Sequence, residues 1–241
     1  EGGASVSTSQ PAVGDVTDLW DRLLEEYDEI VYLPMSSGLS GSCQTAMMLA
    51  EEAYQGKVFV VNNQRISVTL RSSVMDAMEM ARDGFSAAEI KERLENVKSD
   101  SSIYIMVDTL TYLKKGGRIT PAVAAIGTIL RLKPVLQIQG DKLDSFMNAR
   151  SVKHAKKVML DVIRRDAVER FGSDENAMGL HLHMAYSGTN TAAIEQFRAE
   201  AMEAFPGHSA EDFHTDPLSL SVSCHIGPGA LAITCTKKYQ K

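Results

Sequence analysis

The chain has 241 residues, with 25 Lys and Arg against 31 Asp and Glu, a formal net charge of −6 and six His. A sequence pI near 5.6 excludes a protein whose work is coating a polyanion, because such binders rest on a dense basic surface that releases counterions. With 44% hydrophobic and 23% charged residues, the chain is globular rather than disordered, and long enough for one large domain or two modest ones.

Along the chain, Glu29 to Pro34 reads as a short strand, followed at once by the small-residue stretch Ser36-Ser37-Gly38-Leu39-Ser40-Gly41-Ser42. A helix follows over Cys43 to Tyr54, closed by Gly56, then a strand over Lys57 to Val61 and a helix over Ser67 to Arg82. Ser86-Ala87-Ala88-Glu89 has the spacing of a capping box, opening a helix to Val97. Ile103 to Val107 is the expected third strand of the first domain. Strands alternating with amphipathic helices predict an α/β fold whose first domain has a parallel sheet.

Gly116-Gly117 ends a helix that runs through Lys115, and the domain boundary is expected near Gly116 to Pro121, giving domains of 1–118 and 119–241. Pro121 to Leu130 reads as a helix. Lys133 to Gln139 and Lys142 to Asn148 read as a hairpin around Gly140-Asp141. A helix over Val152 to Arg170, a strand over Gly179 to Tyr186, a helix over Asn190 to Phe205 and a final strand over Gly229 to Cys235 complete a second α/β domain with a mixed sheet.

No apolar run reaches the roughly 20 residues of a membrane-spanning helix. The first residues lack a basic region followed by an apolar one, so no secretory signal is expected. Cys43, Cys224 and Cys235 form no C-x-x-C pair, which fits a reducing cytoplasm better than a disulfide framework.

The Ser36 to Ser42 stretch lies between a strand and a helix start, where hydroxyls, backbone amides and the helix dipole would favour a phosphate or carboxylate. A Ser-rich turn with an ordinary cap accounts for the same residues. It is not a Walker loop. His225, before Gly227-Pro228-Gly229, could present its imidazole to a ligand or serve structure alone. Lys114-Lys115-Gly116-Gly117-Arg118 reads first as a helix C-terminus with favourable cations. Its functional alternative is a docking or phosphate-facing Arg118. His181 and His183 alternate along one strand and share a face, but without a third ligand at matching spacing no metal is expected. No cofactor motif is present.

Taken together, Thr8-Ser9-Gln10-Pro11, the Ser36 to Ser42 loop, Tyr112-Leu113-Lys114-Lys115-Gly116-Gly117-Arg118-Ile119, Leu132-Lys133-Pro134-Val135-Leu136 and His225-Ile226-Gly227-Pro228-Gly229-Ala230-Leu231 resemble the DegV family of bacterial fatty-acid-binding proteins. The resemblance implies two α/β domains and a non-enzymatic carrier that holds a long-chain fatty acid noncovalently in a tunnel leading from the Ser36 to Ser42 loop. It further implies presentation of the carboxylate to a separate ATP-using kinase subunit for acyl-phosphate formation, with transient membrane contact compatible with that role. Thr8, Ser9, Ser36, Ser37, Gly38, His225 and Gly227 would meet the head group, and Arg118 would lie where the kinase docks. The family's usual first strand and Asp-Ser motif are missing ahead of Thr8, so the first domain is expected to be incomplete. Two readings compete. One is an enzyme acting on acyl esters or acyl phosphates with Ser37 as nucleophile, His225 as base and Asp108 as the guess for its orienting group; the other is a lipid-sensing regulatory module.

Overall fold

In the computed structural model, residues 6–120 and 132–240 are described. The chain divides into two compact units, one comprising the described residues of 1–8, 67–69 and 100–241 and the other 9–66 and 70–99. The helix expected over Pro121 to Leu130 lies outside the described residues.

The smaller unit carries helix α1 (Val13–Leu24), strand β1 (Ile30–Tyr32), α2 (Ser42–Ala53), β2 (Val58–Val60), all of α3 (Ser67–Arg82) but its first three residues, and α4 (Ala87–Asn96). Strands β1 and β2 run parallel with Ile30 opposite Val58, as a β-helix-β sequence demands. The capping box is formed: the Ser86 side chain accepts from the Glu89 amide while the Glu89 side chain accepts from the Ser86 amide. Trp20, the chain's single tryptophan, anchors a core with Ala46, Ala50, Val58 and Val60. Its ring meets Tyr32 and Tyr54 edge-on at 5.4 and 5.2 Å. Helix α1 was not expected. Its amphipathic spacing of Val13, Val16, Trp20 and Leu24 was nevertheless present in the sequence.

The larger unit holds β3 (Ser101–Met106), α5 (Thr111–Gly116), β4 (Lys133–Ile138), β5 (Asp144–Ala149), α6 (Val152–Glu169), β6 (Leu180–Tyr186), α7 (Thr191–Ala204), β7 (Thr215–Pro217), α8 (Leu220–Ile226) and β8 (Leu231–Lys237). Its six-stranded sheet has the order β5-β4-β3-β8-β6-β7. The sheet is mixed, since β6 and β7 are parallel while β3 lies antiparallel to both β4 and β8. Met106, Leu182, Met184 and Ile233 on one face pack with Met159 and Ile163 of α6 and Phe197 and Phe205 of α7.

Strand β3 therefore differs from expectation. It joins β4 and β8 rather than a third position beside β1 and β2, and the unit boundary falls between Ser99 and Asp100 rather than near Gly116 to Pro121. The reason is hydrogen bonding: β3 exchanges backbone bonds on both edges, with Ile105 opposite Leu136 and Ala232, and a central strand cannot leave its sheet without orphaning those groups. No helix among the described residues is long and apolar enough to cross a membrane.

Candidate functional site

The expected site residues fall in both units. Thr8, Arg118, His225 and Gly227 belong to the larger unit, and Ser9, Ser36, Ser37 and Gly38 to the smaller.

In the larger unit, His225 lies on the last turn of α8, a short helix that ends just before Gly227. Its Nε2 shares a 2.8 Å hydrogen bond with the Thr8 hydroxyl, the donor being set by the imidazole tautomer. Burial and, secondarily, the nearby Arg118 cation hold the His225 pKa below its ordinary value, so the ring is neutral at neutral pH. It can then offer one donor and one acceptor.

Two glycines let α5 and α8 approach closely. A Cβ on Gly116 would sit 2.3 Å from His225 Nδ1, and one on Gly227 would sit 2.4 Å from the Tyr112 ring. Gly227 also has φ +85°, a conformation that L side chains adopt only under strain. Its turn is clamped by buried Ser187, whose hydroxyl donates to the Gly227 carbonyl and accepts from the Ala230 amide at 3.0 Å. Further backbone bonds join Ser187 to Ala230 and Gly229.

These groups border a cleft of about 490 Å³ whose lining includes Thr8, Lys115, Arg118, Ser223, Cys224 and His225. That volume falls within the range of small-molecule sites. Exposed Tyr112 and Leu220 add apolar surface to the same lining. The Gly-Gly end of α5 serves both readings given to it: Gly117 takes a left-handed φ of +67° as a C-cap, while Gly116 leaves room for the histidine. Arg118 lines this cleft, and its Nη1 donates to the Gly116 carbonyl.

In the smaller unit, most amides of the Ser36 to Ser42 loop are already engaged. Ser37 N–H donates to Asn62 Oδ1 (3.4 Å), Gly38 N–H to Ser36 Oγ (3.3 Å), and Ser42 N–H to Ser40 Oγ (3.3 Å). The Leu39 and Ser40 amides both reach the Ser36 carbonyl. The loop thus serves its own turn more than it presents a nest of bare amides. The Ser37 hydroxyl accepts from Asn62 Nδ2 at 3.0 Å, which leaves its own proton to donate elsewhere. Ser36 is buried, whereas Ser9 is exposed. The cleft bordering α2, lined in part by Tyr32, Ala46 and Leu49, measures about 10 Å³. It holds about one water at most and is no acyl tunnel.

Asp108, the orienting group guessed for a Ser-His enzyme, pairs instead with Lys133 Nζ at 2.8 Å. The rings of His181 and His183 do share a face, 4.9 Å apart, and His214 stands 5.7 Å from His183. Among the described residues no group of three or more His, Cys, Asp or Glu could hold a metal. Sequence reasoning missed Ser187, which acts on Gly227 and Ala230 far along the chain, and read Lys115 and Gly116 only as part of a helix end, since the cleft and His225 reach them only once the chain is folded.

The family profile described as "Uncharacterised protein, DegV family" matches residues 1–238. A DegV domain-containing protein of Deinococcus radiodurans is 30% identical over 232 residues, spanning 96% of this chain and 78% of the relative. Among solved structures, the DegV family protein of Thermus thermophilus described for fatty acid binding superposes with TM-score 0.81 at 30% identity, over 96% of this chain and 79% of that one. The fatty-acid-binding DegV of Bacillus subtilis does so with TM-score 0.79 at 26% identity, over 96% and 79%. The chain belongs to the DegV family.

Proposed function

We propose that this DegV family member binds one long-chain fatty acid noncovalently, with its carboxylate in the Thr8–His225 cleft. The observation that carries the reading is the hydroxyl–imidazole pair, joined at 2.8 Å, inside a cleft of about 490 Å³ with polar and apolar lining. Relatives from Thermus and Bacillus described as fatty-acid binders support the choice of ligand. Gly227 shapes the cleft. Ser36, Ser37 and Gly38 form a second polar loop, with the Ser37 hydroxyl as its donor, and Ser9 adjoins Thr8 in sequence.

The division of labour follows from magnitudes. Burial of each methylene is worth about 0.8 kcal/mol, roughly a fourfold gain in affinity, whereas one hydrogen bond to a charged head group contributes about 1.5–3 kcal/mol. A tail of some fifteen carbons would gain on the order of 12 kcal/mol before ordering costs. The tail then sets affinity, and the polar groups set the position of the head.

A carboxylate held this way is available to a second protein, and an ATP-using kinase subunit forming an acyl phosphate is the partner this reading names. Arg118, on the same cleft, is the residue such a partner would meet. The chain itself is a carrier, for which the Asp108–Lys133 pair speaks by removing the third member of a Ser-His enzyme. Free thiols at Cys43, Cys224 and Cys235 favour a reducing cytoplasm as its compartment.

Mass spectrometry of the purified protein, native and then denatured, tests the carrier reading. A single fatty acid mass that is present natively and lost on denaturation is expected. An acyl adduct retained on Ser37 after denaturation would replace the carrier with a covalent enzyme.

A further inference from the structure

We infer that Asn62 is a positioning residue, which holds the Ser37 hydroxyl as a hydrogen-bond donor to the ligand and is itself held by Glu95. This rests on the lipid reading above, in which Ser36, Ser37 and Gly38 form a polar loop, and extends it from which residues bind to what fixes one of them. Ser37 and Asn62 both belong to the smaller unit. They follow the carboxyl ends of the parallel strands β1 and β2, the side on which open α/β sheets receive their ligands.

Two hydrogen bonds join the pair. The Ser37 N–H donates to Asn62 Oδ1 at 3.4 Å, and Asn62 Nδ2 donates to Ser37 Oγ at 3.0 Å. A backbone N–H can only donate, so it fixes the amide oxygen on its own side and leaves the amide nitrogen for the hydroxyl. The hydroxyl therefore accepts from Asn62 and keeps its proton for another acceptor. An amide nitrogen takes up no proton from serine, so the contact that makes Ser37 a donor does not activate it as a nucleophile.

Asn62 is fixed in turn through its backbone. Its N–H donates to Glu95 Oε1 at 2.9 Å, and the same oxygen pairs with Lys91 Nζ at 3.0 Å, one turn earlier on α4. Lys91 Nζ also donates to the carbonyl of Val60, the last residue of β2. Helix α4 is thereby tied to the strand exit on both sides of Val61, and Lys91 offsets the Glu95 charge. The segment just beyond is conformationally demanding: Gln64 and Ser67 have φ of +59° and +54°, a region that non-glycine residues occupy sparingly. Between them the Arg65 carbonyl accepts from the Ser36 N–H at 2.9 Å. Backbones of this kind persist where their surroundings over-determine them, and they gather at ligand sites. A hydroxyl oriented before the ligand arrives loses little freedom on binding, and that is what Asn62 adds to affinity.

The test is a double-mutant cycle read by calorimetric titration with dodecanoate, using wild type, Ser37→Ala, Asn62→Ala and the double variant. Ser37→Ala should weaken binding by about ten- to hundredfold, the loss of one hydrogen bond to a charged head. Asn62→Ala should weaken it by about three- to tenfold when Ser37 is present, and hardly at all in the Ser37→Ala background. Urea unfolding of the same four proteins separates affinity from stability. Glu95→Ala should likewise weaken binding only when Ser37 is present, and Glu95→Gln, which keeps an oxygen for the Asn62 N–H, should restore most of that loss. This second pair carries the claim if Asn62→Ala fails to fold. Equal losses in both backgrounds would make Asn62 a merely structural residue and overturn the inference. Full affinity in Ser37→Ala would remove Ser37 from the site and overturn it too, while leaving lipid binding intact. If wild type does not bind dodecanoate, the lipid reading and this inference fall together.

Discussion

Gly116→Ala isolates the contact that positions His225. Gly116 ends helix α5 without a positive φ, so alanine there carries no backbone strain, and helix propensity alone would favour it by at most about 1 kcal/mol. Its Cβ, however, would lie 2.3 Å from His225 Nδ1, 3.2 Å from Cγ and 3.3 Å from Cε1. Carbon contacts are comfortable only near 3.5–4.0 Å, so the ring must shift by more than 1 Å and leave Thr8. Overpacking of this kind costs about 1–3 kcal/mol, and the lost hydrogen bond adds about 1 kcal/mol. Gly116→Ala should therefore destabilise the wild-type background by about 1–3 kcal/mol and weaken fatty-acid binding. In a His225→Ala background the clash partner is absent, and the same substitution should be neutral or slightly stabilising. Urea denaturation of the four proteins gives the coupling, followed by circular dichroism because the lone Trp20 reports on the smaller unit. Equal effects of Gly116→Ala in both backgrounds would refute the reasoning, since the cost could not then arise from the imidazole.

Three further outcomes are expected. Ser187→Ala leaves the buried Gly227 carbonyl and Ala230 amide without their side-chain partner, so thermal melting should show a loss of about 1–3 kcal/mol, with weaker ligand binding as the turn relaxes. His225 has a native pKa below its ordinary 6.5, so as pH falls through about 6.5 the unfolded chain takes up the proton first. Its contribution to stability, complete above that pH, should decline below it, and His225→Gln should flatten that part of the stability profile. Of the three thiols, Cys43 and Cys235 are buried, with burial raising both pKa values. Cys224 is partly exposed and lines the cleft. A thiol reagent should accordingly label Cys224 first in the native protein, and bound fatty acid should slow that labelling; unchanged kinetics would put the ligand elsewhere.

Local pattern revealed what local energetics decide. Helices α2, α3, α4 and α6 carry their own periodicity, the Ser86 capping box is complete within four residues, and the β4–β5 hairpin is set by adjacent segments around Gly140-Asp141. The partners of β3 were not legible in this way. An apolar run such as Ser101–Met106 suits either sheet, and only its pairing with β8, from the far end of the chain, decides between them. The site followed the same division. The family resemblance singled out Thr8 and His225, and the fold joins the two by a hydrogen bond. The closeness of Gly116 to His225 and the Ser187 clamp on Gly227 exist only after the chain folds, so a Gly-Gly helix stop and a serine at a strand end gave no sign of either. Arg118, expected near where a partner docks, lines the cleft just beyond the C-cap at Gly117.

A crystal structure with palmitate bound tests the central claim most directly. The account predicts carboxylate oxygens within about 2.7–3.2 Å of the Thr8 hydroxyl and the Arg118 guanidinium, with His225 still beside Thr8 and the tail shielded from water. Palmitate found outside this cleft, or seated with its tail at Thr8 and its carboxylate in solvent, would contradict it.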